Sequence, residues 1–258
     1  MNKLSAFIIT KNEENKIEKT LKNIKSLVND IVIVDGYSTD KTCAIAKKYG
    51  ARIIKSKFAG FDKEKNKGIA ACKNEWVLDI DADEILYPET IEEIKRILEN
   101  PKFDAYAMQR DEFFLGKKIM EIKLVRLYKK KCAHYEGYVH EVLKVNGKVE
   151  KLKNHMKHEN NKYRTISDLC NYMNKLTTQE VEKMEAQGTK LTRAKTVWLM
   201  IYSPIKYFFG LLFYKGAIRA GWAGVWNSEI AAQYEFWKYL KYYEKYYVEN
   251  EKRGSSEI

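Results

Sequence analysis

Trp76-Val77-Leu78-Asp79-Ile80-Asp81-Ala82-Asp83-Glu84 is the stretch on which the reading of this chain turns. Its apolar first half fits a strand buried in a sheet, and it breaks at once into carboxylates. Asp81 and Asp83 stand one residue apart where the chain leaves that strand, so both side chains can reach toward one cation. Hard oxygen donors suit Mg²⁺ or Mn²⁺, and such an ion would bridge a diphosphate. A lone Asp-x-Asp equally often caps a loop, here the one before Pro88. Its place directly behind a buried strand raises the functional reading.

The same alternation recurs on both sides. Leu4 to Thr10 is an apolar run ending in a polar turn, and Ile17, Leu21, Ile24 and Val28 follow at helical spacing. Ile31-Val32-Ile33-Val34 is a second buried strand, Asp40 to Tyr49 carries helical spacing, and Gly50 sits where a helix end favours a left-handed residue. Ala51 to Ile54 forms a third strand, and a charged helix from Asp62 to Cys72 leads into the strand at Trp76. Pro88 opens the next helix, where its missing N–H costs nothing, with Ile91, Ile94 and Leu98 on one face. Four strand–helix alternations predict an α/β fold, a parallel sheet with helices on both faces. Ligands of such sheets bind beyond the C-terminal ends of the strands.

After residue 104 the pattern changes to short extended runs, Ala105–Gln109, Lys123–Tyr128 and Val139–Val145, and from Thr165 it turns helical and aromatic. The expected organisation is an α/β half over 1–104, a smaller half of the same domain over 105–164, and C-terminal amphipathic helices over 165–258.

Net charge is +12, and between Arg110 and Arg164 fifteen Lys or Arg face seven Asp or Glu, so the surface there attracts anions. Charge alone does not choose among nucleic acid, anionic lipid and phosphorylated small molecules. Cys43, Cys72, Cys132 and Cys170 form no C-x-x-C pair, which signals neither a zinc knuckle nor a disulfide framework. Met1-Asn2-Lys3-Leu4 runs into a strand-like stretch too short for the apolar region of a signal peptide, so a cytoplasmic catalytic body is expected.

The strand ends supply Thr10-Lys11-Asn12-Glu13, Asp35-Gly36-Tyr37-Ser38, the turn Ala59-Gly60-Phe61, and Asp81-Ala82-Asp83-Glu84. Carboxylates at two of these ends, on adjacent strands of one sheet edge, would face one crevice. Asp35 has two readings: acceptor for the imide N–H of a uracil or thymine ring, or cap of the following helix. Lys65 and Asn66 would reach a base or phosphate, although among Lys63, Lys67 and Lys73 a solvated helix face is the plainer reading of any one lysine.

Leu4 to Glu14, Ile31 to Thr42 and Trp76 to Glu84, in that order and spacing, resemble family 2 glycosyltransferases of the GT-A (Rossmann-like) fold. Within that family the chain is similar to the lipopolysaccharide-core glucosyltransferase-like subgroup. Gly60-Phe61 with Lys65-Asn66, Phe114-Leu115-Gly116-Lys117, Arg126-Leu127-Tyr128, Val139-His140-Glu141 and Gly221-Trp222-Ala223-Gly224 carry this, so the resemblance spans nearly the whole chain. It implies a nucleotide-binding sheet, a divalent metal (Mn²⁺ or Mg²⁺) held by Asp83 with help from Asp81, and nucleotide contacts from Thr10, Asn12, Glu13 and Asp35. With these go Ser38, Lys65, Asn66 and Asp81. It also implies inversion at the anomeric carbon. Two departures stand out: Tyr37 replaces the Gly or Ser frequent in relatives, and the stretch between Gly116 and Arg126 lacks an aromatic, proline-containing insert.

An inverting transfer needs a general base for the acceptor hydroxyl. Glu141 is the expected base, with pairing to Lys144 or Arg126 as its structural alternative; His140 is a weaker candidate. His158 is a candidate to complete the metal or diphosphate site, as a late histidine does in some GT-A enzymes. From Trp198 to Trp237 aromatics are interleaved with Lys206, Lys215 and Arg219, and Pro204 and Lys206 interrupt any run of about twenty apolar residues. Helices lying in the interface of an anionic membrane fit better than a spanning one, with part of the aromatics closing a core. The expected enzyme moves a hexose from a nucleotide sugar, UDP-linked, to a hydroxyl of a lipopolysaccharide-core, lipid-linked or other cell-envelope glycan acceptor, at the inner face of the membrane and without nucleic acid as partner. A sugar-phosphate nucleotidyltransferase should carry a Gly- and Arg-rich loop after the first strand, unlike Thr10-Lys11-Asn12-Glu13-Glu14. A non-catalytic membrane- or nucleic-acid-binding protein would leave Asp35, Asp81 and Asp83 idle.

Overall fold

The computed structural model describes residues 2–114, 116–137, 141–159 and 166–248. It divides into two compact units, Met1–Glu112 with Glu121–Glu159, and Phe113–Met120 with Asn160–Ile258.

In the first unit β1 (Leu4–Thr10), α1 (Ile17–Ile24), β2 (Asp30–Asp35), α2 (Thr42–Lys48), β3 (Arg52–Lys55), α3 (Phe61–Ala71) and β4 (Trp76–Asp79) alternate as their periodicities predict. Then come β5 (Glu84–Leu86), α4 (Pro88–Glu99), β6 (Ala105–Phe114), β7 (Lys117–Lys129), β8 (Ala133–Glu136), β9 (Val142–Val145) and β10 (Val149–His158). Eight strands form one sheet in the order β3-β2-β1-β4-β7-β6-β10-β5, and β8 and β9 form a separate antiparallel pair. β3, β2, β1 and β4 run parallel, whereas β7 joins β4 antiparallel. Asp35 and Asp81 therefore do not follow adjacent strands as expected: β1 lies between β2 and β4.

Side chains that alternate along a strand sort the core into two layers. Leu4, Ala6 and Ile8, with Ile31, Ile33 and Leu78, pack on Ile17, Leu21 and Ile24 of α1 and Ile94 and Leu98 of α4. Their neighbours Phe7, Val32, Val34 and Val77 face Ile69 of α3 and Tyr135 of β8. Gly68 lets α3 approach closely, because a Cβ there would lie 2.4 Å from the Phe7 ring. Val28 falls after α1, in a turn closed by its N–H on the Ile24 carbonyl. Gly50 takes the expected left-handed conformation at φ 78°, and Pro88 opens α4 in its first turn.

In the second unit α5 (Ile166–Ala186), α6 (Arg193–Phe209) and α7 (Trp222–Tyr243) pack together. Lys241 of α7 donates to Asn174 Oδ1 and Thr178 Oγ1 of α5, both at 2.7 Å. The buried Tyr242 hydroxyl accepts from the Leu191 N–H at 3.0 Å and donates to the Thr189 carbonyl. Pro204 and Lys206, expected to interrupt an apolar run, both lie inside α6, which continues into a π turn, Gly210–Tyr214. Arg193–Tyr214 is, among the described residues, the one helix long and apolar enough to cross a membrane by length and composition.

Candidate active site

The loops after β1 and β2 are laced into one wall. Thr10 Oγ1 donates to Asp35 Oδ1 at 3.2 Å, and the Asn12 N–H donates to Ser38 Oγ at 2.8 Å. Asn12 Oδ1 accepts from the Thr39 N–H, and the Glu13 N–H donates to Thr42 Oγ1. Asp35 is fully buried and takes three further bonds, from Ser38 Oγ and N–H and from Lys55 Nζ at 2.7 Å. Burial pushes its carboxyl up, but Lys55 and Ser38 outweigh that and hold its pKa at about 2. The helix that follows is tied instead by Asp40, which accepts from the Thr42 N–H and hydroxyl. Tyr37 occupies the left-handed region at φ 58°, which explains why a small residue suits that position.

Around β4 three carboxylates surround one guanidinium. Arg126 of β7, 4% exposed at its side chain, lies 3.3 Å from Asp79, 2.7 Å from Asp81 and 2.5 Å from Glu84. Arg110 adds a second guanidinium, 2.9 Å from Glu84 and 2.6 Å from Glu112. Burial raises the Glu84 carboxyl; it also acts on Asp81, where Arg126 and Lys65 overcome it and hold that carboxyl well below the usual range. Asp81 is the more open of the two, with its side chain 38% exposed.

Asp83 lies between two cationic groups. Lys16 Nζ is 3.2 Å from its Oδ2, and His158 Nε2 is 3.4 Å from its Oδ1. The other nitrogen, Nδ1 of His158, is 2.7 Å from Glu112 Oε2. A carboxylate on the far nitrogen orients a histidine for metal ligation. One oxygen and one nitrogen donor with further carboxylates nearby form a set that fits Mn²⁺, and Mg²⁺ through its oxygens. The β10–β5 pairing places His158 opposite Glu84, and the Glu159 N–H holds the Asp83 carbonyl at 2.7 Å.

Lys65 departs from the solvated-face reading. It is 7% exposed, with Nζ 3.4 Å from Asp79 Oδ2 and 3.4 Å from Glu141 Oε1, and 4.6 Å from the Tyr135 ring centroid. Burial opposes its charge, but Asp79 and neighbouring carboxylates raise its pKa above the ordinary lysine value. Asn66 binds the Tyr135 backbone on both sides, donating to its carbonyl and accepting from its N–H, each at 2.8 Å. Its amide thereby positions β8 rather than facing a ligand. The Tyr135 hydroxyl donates to Asp79, closing the cluster. Glu141 pairs with Lys65, in place of the Lys144 or Arg126 partner weighed from sequence. His140 lies outside the described residues.

Residues 5–195 match the family model described as glycosyl transferase family 2. The chain belongs to that family. A glycosyltransferase of Rickettsia felis is 30% identical over 93% of this chain and 89% of its own length. The lipopolysaccharide core biosynthesis glycosyltransferase LpsC of Rhizobium meliloti is 26% identical over 94% of this chain and 93% of its own. Among solved structures, S. aureus TarS aligns over 96% of this chain and 92% of its own with 15% identity and a TM-score of 0.45.

In this family 2 glycosyltransferase the nucleotide-sugar-binding sheet brings Thr10, Asn12, Glu13, Asp35 and Ser38 into one bonded wall. Lys16 links that wall to the β4 end, being 3.4 Å from Glu13 and 3.2 Å from Asp83. The sequence did not single out Lys16, Asp79, Arg110, Glu112 or Tyr135, and offered Arg126 only within a motif and as a partner of Glu141. Their roles come from ion pairs, and for Tyr135 a hydrogen bond to Asp79, with residues far apart in the chain, which no local pattern marks. Asp111, Glu121 and His155 also bring three ligand-type atoms within 4.8 Å of one another, a grouping with no signal in the sequence.

Proposed function

We propose that this enzyme transfers a hexose from UDP to a hydroxyl of a lipopolysaccharide-core, lipid-linked or other cell-envelope glycan, with inversion, and that a divalent metal assists. The observation that carries the reading is the junction of Glu141, Lys65 and Asp79 in the same charged cluster that holds Asp81. Asp83 and His158 would hold the metal, with Asp81 beside them; when bound, it supplies positive charge to the departing diphosphate. Asp35 would accept the uracil imide N–H in place of Lys55, whose side chain is 43% exposed. Thr10, Asn12, Glu13 and Ser38 shape the nucleotide wall, and Lys65 faces the phosphates. Glu141 takes the acceptor hydroxyl proton as the oxygen attacks the anomeric carbon. The bond to the diphosphate breaks on the opposite face, and UDP leaves. A single displacement of this kind inverts the centre.

The exposed aromatic side chains of α6 and α7 and the cations among them support a peripheral site of action on the cytoplasmic face of an anionic membrane. The central test is donor binding by thermal shift with UDP-sugars and Mn²⁺ or Mg²⁺, where a ligand at a hundred times its Kd adds about 2.7 kcal/mol. Asp83→Ala should abolish the metal-dependent part of that shift and turnover with it. A chelator-sensitive shift of undiminished size in that variant would place the metal elsewhere.

A further inference from the structure

Between Arg193 and Ser228 stand five cations, Arg193, Lys195, Lys206, Lys215 and Arg219, and not one carboxylate. The same segment exposes Trp198, Ile201, Tyr202, Ile205, Phe209 and Phe213. Steps of three and four align these along one face of α6 and its π turn. Trp198 stacks on Tyr202 at 4.5 Å between centroids and Phe209 on Phe213 at 5.9 Å, so the stripe is nearly continuous. Beside it a groove of about 360 Å³ opens between α6 and α7, with Met200, Pro204, Phe208 and Phe236 in its lining. Ile205 and Phe209 line the groove and are also half-exposed members of the stripe, so the two surfaces join. Glu229, bonded to Gln233 at 3.2 Å, marks a polar edge.

We propose that this groove seats one hydrocarbon chain of an anionic membrane lipid while the stripe lies against the surrounding acyl region. The proposal rests on the peripheral membrane reading above and gives it a specific binding element. The groove's size is at the small end of ligand pockets, and its lining is mostly apolar. The charge pattern selects the occupant. Arg193, Lys195, Lys206, Lys215 and Arg219 are all exposed in a segment without a carboxylate, so a second copy of this segment would bring like charge to like charge, whereas an anionic lipid surface complements it.

The test uses the full chain and alkyl phosphates from hexyl to dodecyl below their micelle concentrations, followed by calorimetry. One chain per protein should bind saturably, and each added methylene should tighten binding about fourfold, the equivalent of ~0.8 kcal/mol, until the groove is filled. Ile205→Glu and Phe209→Glu should remove that chain-length dependence; both side chains are half exposed, so the fold should persist, with donor binding as the check. Phosphatidylglycerol vesicles supply the second arm. Vesicle binding without saturable alkyl phosphate binding would overturn the groove and leave the membrane reading standing. Absence of both would overturn both, and a dimer that Ile205→Glu dissolves would assign the face to a second copy.

Discussion

Nε2 of His158 lies 3.4 Å from Oδ1 of Asp83, and Nδ1 of the same ring lies 2.7 Å from Glu112. Burial alone would depress this imidazole, but the two carboxylates raise its pKa to about 9 from an ordinary 6.5. A folded-state pKa above the unfolded one stabilises fully below pH 6.5 and is lost as pH rises through 9. Metal-free protein should therefore lose up to about 3 kcal/mol across that window, and His158→Ala should flatten the slope. Melting curves at several pH values check this. Metal must displace the proton, so below pH 9 affinity should rise by up to about tenfold per pH unit.

Glu141, paired with Lys65 at 3.4 Å, is the general base of the proposed reaction. Glu141→Gln preserves shape but removes the base, so kcat should fall by about 10²- to 10⁴-fold while donor affinity persists. Steady-state kinetics beside a donor-binding titration separate the two quantities. A variant that keeps most of its kcat would exclude Glu141 as the base.

Arg126 is the only residue among those described that lies within ion-pair distance of Asp79, Asp81 and Glu84 together. Arg126→Met should cost about 3–5 kcal/mol in urea unfolding, because it leaves carboxylates buried without their partner. Arg126→Lys should recover little, since an ammonium cannot fork to several carboxylates. Glu84 is the carboxyl whose pKa burial raises, so the penalty should shrink as pH falls and Glu84 takes a proton.

Gly224, part of the Gly221-Trp222-Ala223-Gly224 element, sits where a Cβ would lie 1.7 Å from the Ala217 carbonyl oxygen. Alanine favours a helix interior by up to about 1 kcal/mol over glycine, yet here the first turn of α7 would have to move. Gly224→Ala should destabilise the protein by about 1–3 kcal/mol, as overpacking does. Thermal melts should show this, and a stabilised variant would refute the close approach.

Local chemistry made much of the first hundred residues legible. Alternating apolar runs and helical spacings located β1 to β4 and α1 to α4, and Gly50 and Pro88 marked helix boundaries through backbone conformation alone. The position of the Asp-x-Asp just beyond β4 could be read because it depends only on the strand immediately before it. Tertiary structure decided the rest. It put β1 between the strands that lead to Asp35 and Asp81, buried Lys65 where its lysine-rich surroundings suggested solvent, and gathered Lys16, Arg110, Glu112 and Arg126 around the carboxylates. It also carried α6 through Pro204. Strand and helix signals lie within a few neighbouring residues and can be read along the chain. A buried charge finds partners across tens of residues, set by sheet order and packing, and those distances exist only once the chain has folded.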